Sequence, residues 1–274
     1  MSADPILVLG ATGKTGSRIA ALLAARGHAV RPGSRQGDPA FDWQDPAGWD
    51  AVLDGVTAVY VSYFPDLAAP GAAETIAAFA ARARAHGIRR LVLLSGRGED
   101  EAQRAEDAVR AAGVDWTILR ASWFSQNFSE SIFVDPIRSG TVALAAGDIP
   151  EPFVDADDIA EVAVAALTAD GHAGQLYELT GPACLTFAEA VATIAQAAGR
   201  PIAYRRITID QQSAGLAAAG VPADIVALVT YLFGTVLDGR NAQVADGIMR
   251  ALGRPPRSFA DYATRAAATG VWSI

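Results

Sequence analysis

Three glycines at a regular spacing of three residues interrupt an apolar run near the start of the chain. They lie in the segment GATGKTG, which follows ILVL and precedes an alanine-rich stretch, at Gly10, Gly13 and Gly16. Backbone N–H groups without neighbouring side chains can approach a pyrophosphate, and the start of a helix adds partial positive charge. Thr12, Lys14 and Thr15 would supply further donors and one cation. The pattern predicts a dinucleotide site, although a tight turn that needs flexible φ angles also explains the glycines.

The end of the second predicted strand indicates which dinucleotide would bind. An acidic residue there would bond the ribose 2′-hydroxyl, whereas an arginine would pair with a 2′-phosphate. The strand ends in Ser34 and Arg35, which predicts NADP as the cofactor, with NADPH preferred over NADH. Arg31 competes for this role, and a solvated surface arginine is the structural alternative. Asp42 and Trp43 are predicted to border the adenine, unless Trp43 is a core residue.

Groups that could transfer a proton to a carbonyl oxygen are few. Lys14 is the only lysine, and none of the six tyrosines precedes a lysine at a spacing of four residues. Ser95 and Asn127 are the catalytic candidates that remain, and both also have structural interpretations. Three aspartates suggest paired carboxylates or helix caps: Asp155, Asp157 and Asp158.

Composition excludes several other classes of function. The 274 residues carry a net charge of −8, which disfavours nucleic acid and anionic membranes as partners. No apolar run approaches the roughly 18 residues of a membrane span. One cysteine and three scattered histidines offer no metal-ligand spacing. The lone Cys184, together with an N-terminus that has no basic region before its apolar run, predicts a reduced, cytoplasmic protein.

Short apolar runs alternate with helical patterns, which predicts an α/β fold: a Rossmann-type, doubly wound parallel sheet with a smaller, mostly helical C-terminal lobe that caps the substrate. Residues 1–150 would form the NADP-binding domain, and residues 151–274 a capping region interleaved with it. The predicted strands are Ile6–Leu9, Ala29–Ser34, Phe41–Trp43, Ala58–Ser62, Arg90–Ser95, Trp116–Arg120 and Tyr177–Thr180.

Helices are predicted between and after these strands. Around Ala72–Ala85, one apolar face comprises Ile76, Phe79, Ala80 and Ala83. The segment PFVDADDIAEVAVAAL should begin a helix capped by Asp157 or Asp158. Thr186 and Glu189 have the spacing of a capping box. From Val221 onward an amphipathic helix is predicted by Ile225, Leu228, Val229, Leu232 and Val236.

Six segments together resemble the NmrA-like branch of the atypical short-chain dehydrogenase/reductase superfamily. They are GATGKTG, Ser34–Arg35, Leu91–Gly96 (LVLLSG), Gly113–Phe128 (GVDWTILRASWFSQNF), Pro152–Leu167 and Arg250–Tyr262. The resemblance implies that Ser62, Tyr63 and Phe64 pass near the ribose and diphosphate of the cofactor. It also implies a group that faces the nicotinamide: Ser95, Gly96, Ala121, Ser122, Trp123 and Phe124. Ordinary members of that superfamily use a serine, and a tyrosine with a lysine four residues later, for proton transfer, and this chain departs from them because it has no such Tyr-Lys pair.

An intact cofactor bend combined with a missing acid and base favours an NADPH-dependent oxidoreductase that passes hydride to a small apolar acceptor, such as a quinone, enone, imine or carbonyl. Candidate pocket walls, which plain core packing also explains, are Trp123, Phe124, Asn127, Phe128, Tyr231 and Phe233. An NADP(H)-sensing regulator and a cofactor-retaining isomerase or cyclase are the alternatives. The chain would be a monomer or a homodimer.

Overall fold

The computed structural model describes residues 4–274, and residues 1–3 of the N-terminal stretch weighed for a targeting signal lie outside that range. Eight strands occur in the described residues. They are β1 (Ile6–Leu9), β2 (Val30–Gly33), β3 (Ala58–Val61), β4 (Arg90–Gly96), β5 (Asp115–Ala121), β6 (Thr141–Leu144), β7 (Gln175–Leu179) and β8 (Ala203–Arg206).

The helices follow the alternation that the sequence predicts. They are α1 (Lys14–Ala25), α2 (Trp49–Leu53), α3 (Ala72–Ala85), α4 (Asp100–Ala111), α5 (Val134–Arg138), α6 (Ala156–Thr168), α7 (Phe187–Ala197), α8 (Ile209–Ala218), α9 (Ala223–Tyr231), α10 (Gly247–Leu252) and α11 (Phe259–Ala268). Short 3-10 turns at Pro46–Gly48 and Ser125–Phe128, and a π-helical turn at Leu232–Val236, complete the set.

The central sheet is parallel throughout, in the order β2-β1-β3-β4-β5-β7. The chain runs from β1 to β2 on one side and returns to β3 on the other, so the order reverses between β1 and β3. In open α/β sheets, ligands bind outside the carboxyl ends of the strands at such a reversal. The Rossmann-type fold class is confirmed, and this reversal marks where its ligand should lie.

The predicted strand at Phe41–Trp43 is wrong. The backbone turns there, because Asp45 N–H bonds Asp42 O at 3.2 Å. Phe41 and Trp43 instead pack edge-on at 4.9 Å in a cluster with Trp49. The sixth strand of the sheet is β7, which pairs with β5.

Helices cover both faces of the sheet. Residues of α2, α3 and α4 share one buried cluster with alternate residues of β1, β3 and β4. The apolar face predicted for α3 is confirmed, because Ile76, Phe79, Ala80 and Ala83 are all buried there. On β3, Tyr60 projects the other way, since its hydroxyl bonds Thr15 of α1.

The chain divides into two compact units that are each assembled from three segments. Unit 1 comprises the chain up to Ala121, Ala156–Leu179 and Asp246–Arg254, and it contains the parallel sheet. Unit 2 comprises Ser122–Asp155, Thr180–Ala245 and Pro255–Ile274. It is largely helical, with a two-stranded parallel sheet formed by β6 and β8. The division at residue 150 that the sequence suggests stays a prediction.

Local signals at helix ends had mixed outcomes. The capping box of Thr186 and Glu189 at the start of α7 is confirmed. The caps predicted at Asp157 or Asp158 are wrong, because α6 already begins at Ala156 and both aspartates lie in its first turn.

The amphipathic helix predicted from Val221 onward forms as α9, but no residue of α9 is fully buried. Burial begins only at Phe233 and Val236, on the π-helical turn that follows. Within residues 4–274, no helix is both long and apolar enough to cross a membrane. The described His, Cys, Asp and Glu side chains form no group of three or more that could hold a metal ion.

Candidate functional site

The glycine bend lies at the reversal in strand order. Gly10 directly follows β1 and has a φ of +67°, a left-handed value that side chains disfavour. Its N–H bonds Gly33 O at the end of β2, and its carbonyl accepts the Gly13 N–H at 2.8 Å. A Cβ placed on Gly10 would lie 3.5 Å from Ser62, which follows β3. The bend, β2 and Ser62 therefore meet at one edge of the sheet.

Gly16 lets α1 begin directly behind this bend. A Cβ at Gly16 would lie 2.1 Å from the backbone oxygen of Gly10, so no larger residue fits there. The first turn of α1 has no side-chain cap and no acidic residue. Its N–H groups and its dipole are therefore available to an anion. These features fit the pyrophosphate of a dinucleotide.

The side chains of the bend have different roles. The Thr15 hydroxyl is buried and accepts a hydrogen bond of 2.9 Å from the Tyr60 hydroxyl, so it joins α1 to β3. Burial raises the pKa of Tyr60, which keeps this phenol a donor. Thr12 is exposed and Lys14 is half-buried. Thr15 could thus offer a cofactor only its backbone, whereas Thr12 could offer its side chain.

The two arginines that compete for a 2′-phosphate have different surroundings. Arg31 donates to Val52 O at 2.9 Å and to Asp54 O at 2.5 Å, so its guanidinium holds the carbonyls that end α2. Arg35 is exposed just beyond β2, and among the described residues nothing accepts a hydrogen bond from its guanidinium. Ser34 beside it is half-buried. Of the two arginines, Arg35 is the one whose guanidinium is available to a ligand.

The residues predicted near the adenine and ribose come together in part. Trp43 Nε1 donates to Ser62 O at 3.2 Å, and the Trp43 ring lies 5.0 Å from that of Tyr63. Trp43 is half-buried, so it belongs to the aromatic core and also presents an edge to solvent. Asp42 accepts the Gln44 N–H, and Phe64 is 70% exposed.

Ser95, at the end of β4, is 4% exposed and donates to Glu106 of α4 at 2.8 Å. Glu106 is fully buried and also accepts two hydrogen bonds of 2.6 Å from Arg120 and one of 3.0 Å from Arg110. The bond to Glu106 is the largest cause of a raised Arg120 pKa. Sequence reasoning missed Glu106, although an arginine on a predicted buried strand was a signal that an acidic partner was needed.

A second buried acid lies on the same edge and was also missed. Glu99, which precedes α4, is 8% exposed and does not cap its helix. Its carboxyl occupies the space where a side chain at Gly96 would lie, within 2.2 Å of that Cβ position. The Asp66 carboxyl, on the loop after β3, is close enough to interact with it. Burial, and then the charge of Asp66, raises the pKa of Glu99 well above its usual range.

The remaining candidates belong to unit 2. Trp123 packs edge-on against Phe187 at 5.4 Å and Phe233 at 4.9 Å and is half-buried, as are Phe124, Asn127 and Tyr231. Phe128 is 1% exposed among other phenylalanines, which matches the core alternative. The buried Ser122 donates to Glu151 at 3.1 Å.

The three aspartates considered as paired carboxylates each pair with a different arginine. Asp157 accepts from Arg18 at 2.7 Å, and Asp158 accepts from Arg254 at 2.7 Å. Asp155 accepts from Arg265 and from Gln126. Ion pairing accounts for these carboxylates without chemistry.

A parallel sheet whose order reverses beside a bare, uncapped helix start defines the class of protein: a Rossmann-type dinucleotide-binding protein. Comparison with known proteins narrows the class. A family model described as NAD(P)H-binding matches residues 10–170. This chain therefore belongs to the NAD(P)H-binding family. Its curated relatives include an azoreductase and a clavine dehydrogenase, and NmrA is among the solved structures that share its fold.

Three curated relatives align over nearly the full length of the chain. An uncharacterized oxidoreductase, YesF, of Bacillus subtilis is 32% identical, covering 100% of this chain and 99% of the relative. The NAD(P)H azoreductase of Xenophilus azovorans is 31% identical, covering 96% and 98%. The agroclavine dehydrogenase of Claviceps fusiformis is 33% identical, covering 94% and 95%.

Solved structures share the fold at lower identity. The triphenylmethane reductase of Citrobacter sp., complexed with NADP(H), has a TM-score of 0.73 at 18% identity, covering 96% of this chain and 99% of that one. The NADPH-dependent quinone oxidoreductase QOR2 of Escherichia coli, complexed with NADPH, has a TM-score of 0.75 at 21% identity, covering 95% and 99%. NmrA, a negative transcriptional regulator, has a TM-score of 0.70 at 17% identity, covering 99% and 100%.

Proposed function

We propose that this NAD(P)H-dependent reductase prefers NADPH and transfers hydride to a small apolar acceptor. The observation that carries the preference is the contrast between the two arginines near the end of β2. Arg31 is engaged by α2, whereas Arg35 is exposed beside the bend with its donors unused by the described residues. A guanidinium pairs with a 2′-phosphate through bidentate hydrogen bonds, which NADH could not form.

The roles of the chain follow from its own groups. Backbone N–H groups of the bend and of the first turn of α1 would bind the pyrophosphate, and Arg35 would bind the 2′-phosphate. The cofactor, when bound, supplies the hydride. The chain contains no Tyr-Lys pair, so orientation of the acceptor and restricted access of water would supply much of the rate.

The nature of the acceptor rests on unit 2 and on the relatives. The half-buried Trp123, Phe124 and Tyr231 offer apolar surface, and Asn127 offers an amide with no side-chain partner among the described residues. Relatives and structural neighbours are named for azo, quinone, triphenylmethane and clavine substrates. These acceptors share conjugated, largely apolar ring systems. We propose that a conjugated acceptor of this kind is the substrate class.

The direct test follows NADPH absorbance with a panel of quinones, enones, imines and triarylmethane cations, with calorimetry of cofactor binding in parallel. Binding together with consumption of NADPH by at least one acceptor is expected. Binding without turnover across the panel would favour the sensing alternative. No heat with NADPH or NADP would contradict the cofactor site itself.

The cofactor preference has a sharper test in Arg35→Gln. Loss of a charge-assisted pair costs about 1.5–3 kcal/mol, so the KM for NADPH should rise about ten- to hundred-fold while the KM for NADH barely changes. Arg26→Gln is the matched control, because Arg26 is an exposed arginine beyond the opposite end of α1. Equal effects of Arg35→Gln on both cofactors would contradict the assignment.

A further inference from the structure

The proposed function requires a proton as well as a hydride whenever the acceptor is neutral. A quinone or an enone gains an electron pair on oxygen as hydride reaches its carbon, and that oxygen must be protonated to complete the reduction. The family's ordinary donor, a tyrosine beside a lysine, cannot be formed by this chain. A different acid at the same edge of the sheet would supply this proton without relying on water.

Glu99 and Asp66 both lie at this edge of the sheet. Asp66 follows β3, the strand at the reversal in strand order, and Glu99 follows β4, its parallel neighbour. Carboxyl ends of adjacent parallel strands share one edge, which is where this fold binds ligands. The Glu99 carboxyl lies over Gly96, the last residue of β4, because no side chain occupies that space.

The contacts of the two acids are unusual for buried carboxylates. No N–H or hydroxyl group of the described residues donates to Glu99 Oε2. Asp66 accepts only a single backbone donor that the structure shows, the Ala68 N–H at 2.9 Å. Two carboxyls can hydrogen-bond to each other only when one of them carries a proton. Like charges this close cannot both ionise without a large cost.

The charged groups around Glu99 act in the same direction. Asp66 on the β3 loop, and Glu101 and Glu106 on α4, all bear negative charge and raise the Glu99 pKa after burial has done so. Glu106 is the last of these causes, and its own charge is paired with Arg110 and Arg120. A helix cap, the ordinary structural explanation for an acid at this position, does not apply to Glu99.

Building on the proposed function, we infer that Asp66 and Glu99 share one proton and that Glu99 is the acid that protonates a neutral acceptor after hydride transfer. The Glu99 O–H bond breaks toward the acceptor oxygen, where a new O–H bond forms, and the electron pair stays on the carboxylate. Hydronium or a buffer acid from solvent then returns one proton to the pair, which is the proton consumed in the overall reduction. Asp66 is a positioning residue, because its charge holds the proton on Glu99.

The first experiment compares two acceptors, one that needs a proton and one that does not. A neutral naphthoquinone takes a hydride and a proton, whereas a triarylmethane cation takes a hydride alone. Glu99→Gln should lower kcat for the quinone about 100-fold and change kcat for the cation by less than about twofold. Asp100→Asn, an exposed acid next in the chain, is the matched control and should change neither.

Asp66→Asn tests the positioning role. Its kcat for the quinone should stay high at low pH but begin to fall at a lower pH than in the unsubstituted protein, because Glu99 then loses its proton more readily. An unchanged pH profile would contradict the coupling. If Glu99→Gln lowers kcat equally for both acceptors, Glu99 is not the proton donor.

A readout without cofactor or acceptor separates this inference from the proposed function. The infrared spectrum at pH 7 should contain the carbonyl stretch of a protonated carboxylic acid, and Glu99→Gln should abolish it while Asp100→Asn keeps it. Absence of that band in the unsubstituted protein would overturn the shared proton. If the unsubstituted protein reduces neither acceptor, the proposed function fails and the infrared band alone decides on the pair.

Discussion

Glu106 and Glu99 are two buried acids of the same segment, and their surroundings are opposite. Glu106 accepts hydrogen bonds from Ser95, Arg110 and Arg120, so its charge is compensated on every side that the structure shows. Glu99 meets another carboxyl and has an oxygen that no N–H or hydroxyl of the described residues reaches. Both lie near the end of β4, yet only Glu106 is surrounded by donors.

The difference separates structural acids from chemical ones. A carboxylate surrounded by arginines loses stability if it is altered, but it has no proton to give. A carboxyl that is buried without donors keeps its proton and is costly to ionise. The sheet edge therefore contains one acid that fixes α4 to β5 and one that is available for proton transfer.

The largest effect is expected from Glu106→Gln. Breaking a buried ion pair from one side costs about 3–5 kcal/mol, because the partner charges lose their compensation. Chemical denaturation should show a loss near the lower end of that range, since Arg110 and Arg120 keep some contact with water. Asp107→Asn removes the exposed partner of the same Arg110 and should cost less than about 0.5 kcal/mol. Similar losses of unfolding free energy in Glu106→Gln and Asp107→Asn would show that the buried pairs of Glu106 contribute no more than an exposed one.

Glu99→Gln should change how the stability of the protein depends on pH. The folded-state pKa of Glu99 is raised, so the folded protein binds a proton that the unfolded chain releases. The free energy of unfolding should therefore be greatest below the ordinary glutamate pKa of about 4.3 and fall as pH rises toward the folded pKa. Thermal unfolding measured between about pH 5 and 8 should show a flatter curve for Glu99→Gln. Parallel curves would mean that Glu99 is ionised in the folded state.

Ser95→Ala should have the smallest effect. It removes one neutral donor among several to Glu106, which is worth about 1 kcal/mol. Because the Ser95 hydroxyl is buried and committed to Glu106, its loss should alter kcat for a quinone by no more than about threefold. A far larger fall in kcat without a loss of stability would indicate that Ser95 is catalytic.

The fold could be predicted from the sequence where a local pattern determines the structure. The strand at Ile6–Leu9 and the helix at Ala72–Ala85 form with the predicted bounds, because each has an unbroken period and an end marked by glycine. The stretch Phe41–Trp43 failed, because its aromatic residues pack into a tertiary cluster instead of alternating across a sheet.

The site could be predicted only in its local part. The glycine bend directly follows β1, and Arg35 lies two residues after β2, so both could be located from the strands alone. The pairing of Asp66 with Glu99 could not be seen, because the two residues come from loops after different strands and meet only when β3 and β4 are in register. Nothing in the spacing of either acid distinguishes it from a solvated surface residue.

The three-segment construction of unit 1 has a consequence for synthesis on the ribosome. Gly247 of α10 packs so closely on Glu178 of β7 that a Cβ would lie 2.2 Å from its carbonyl oxygen. The β7 side of the cofactor-binding sheet is therefore covered by a stretch that emerges long after β7 itself. Nascent chains released before Asp246 should leave this packing surface exposed, which favours aggregation.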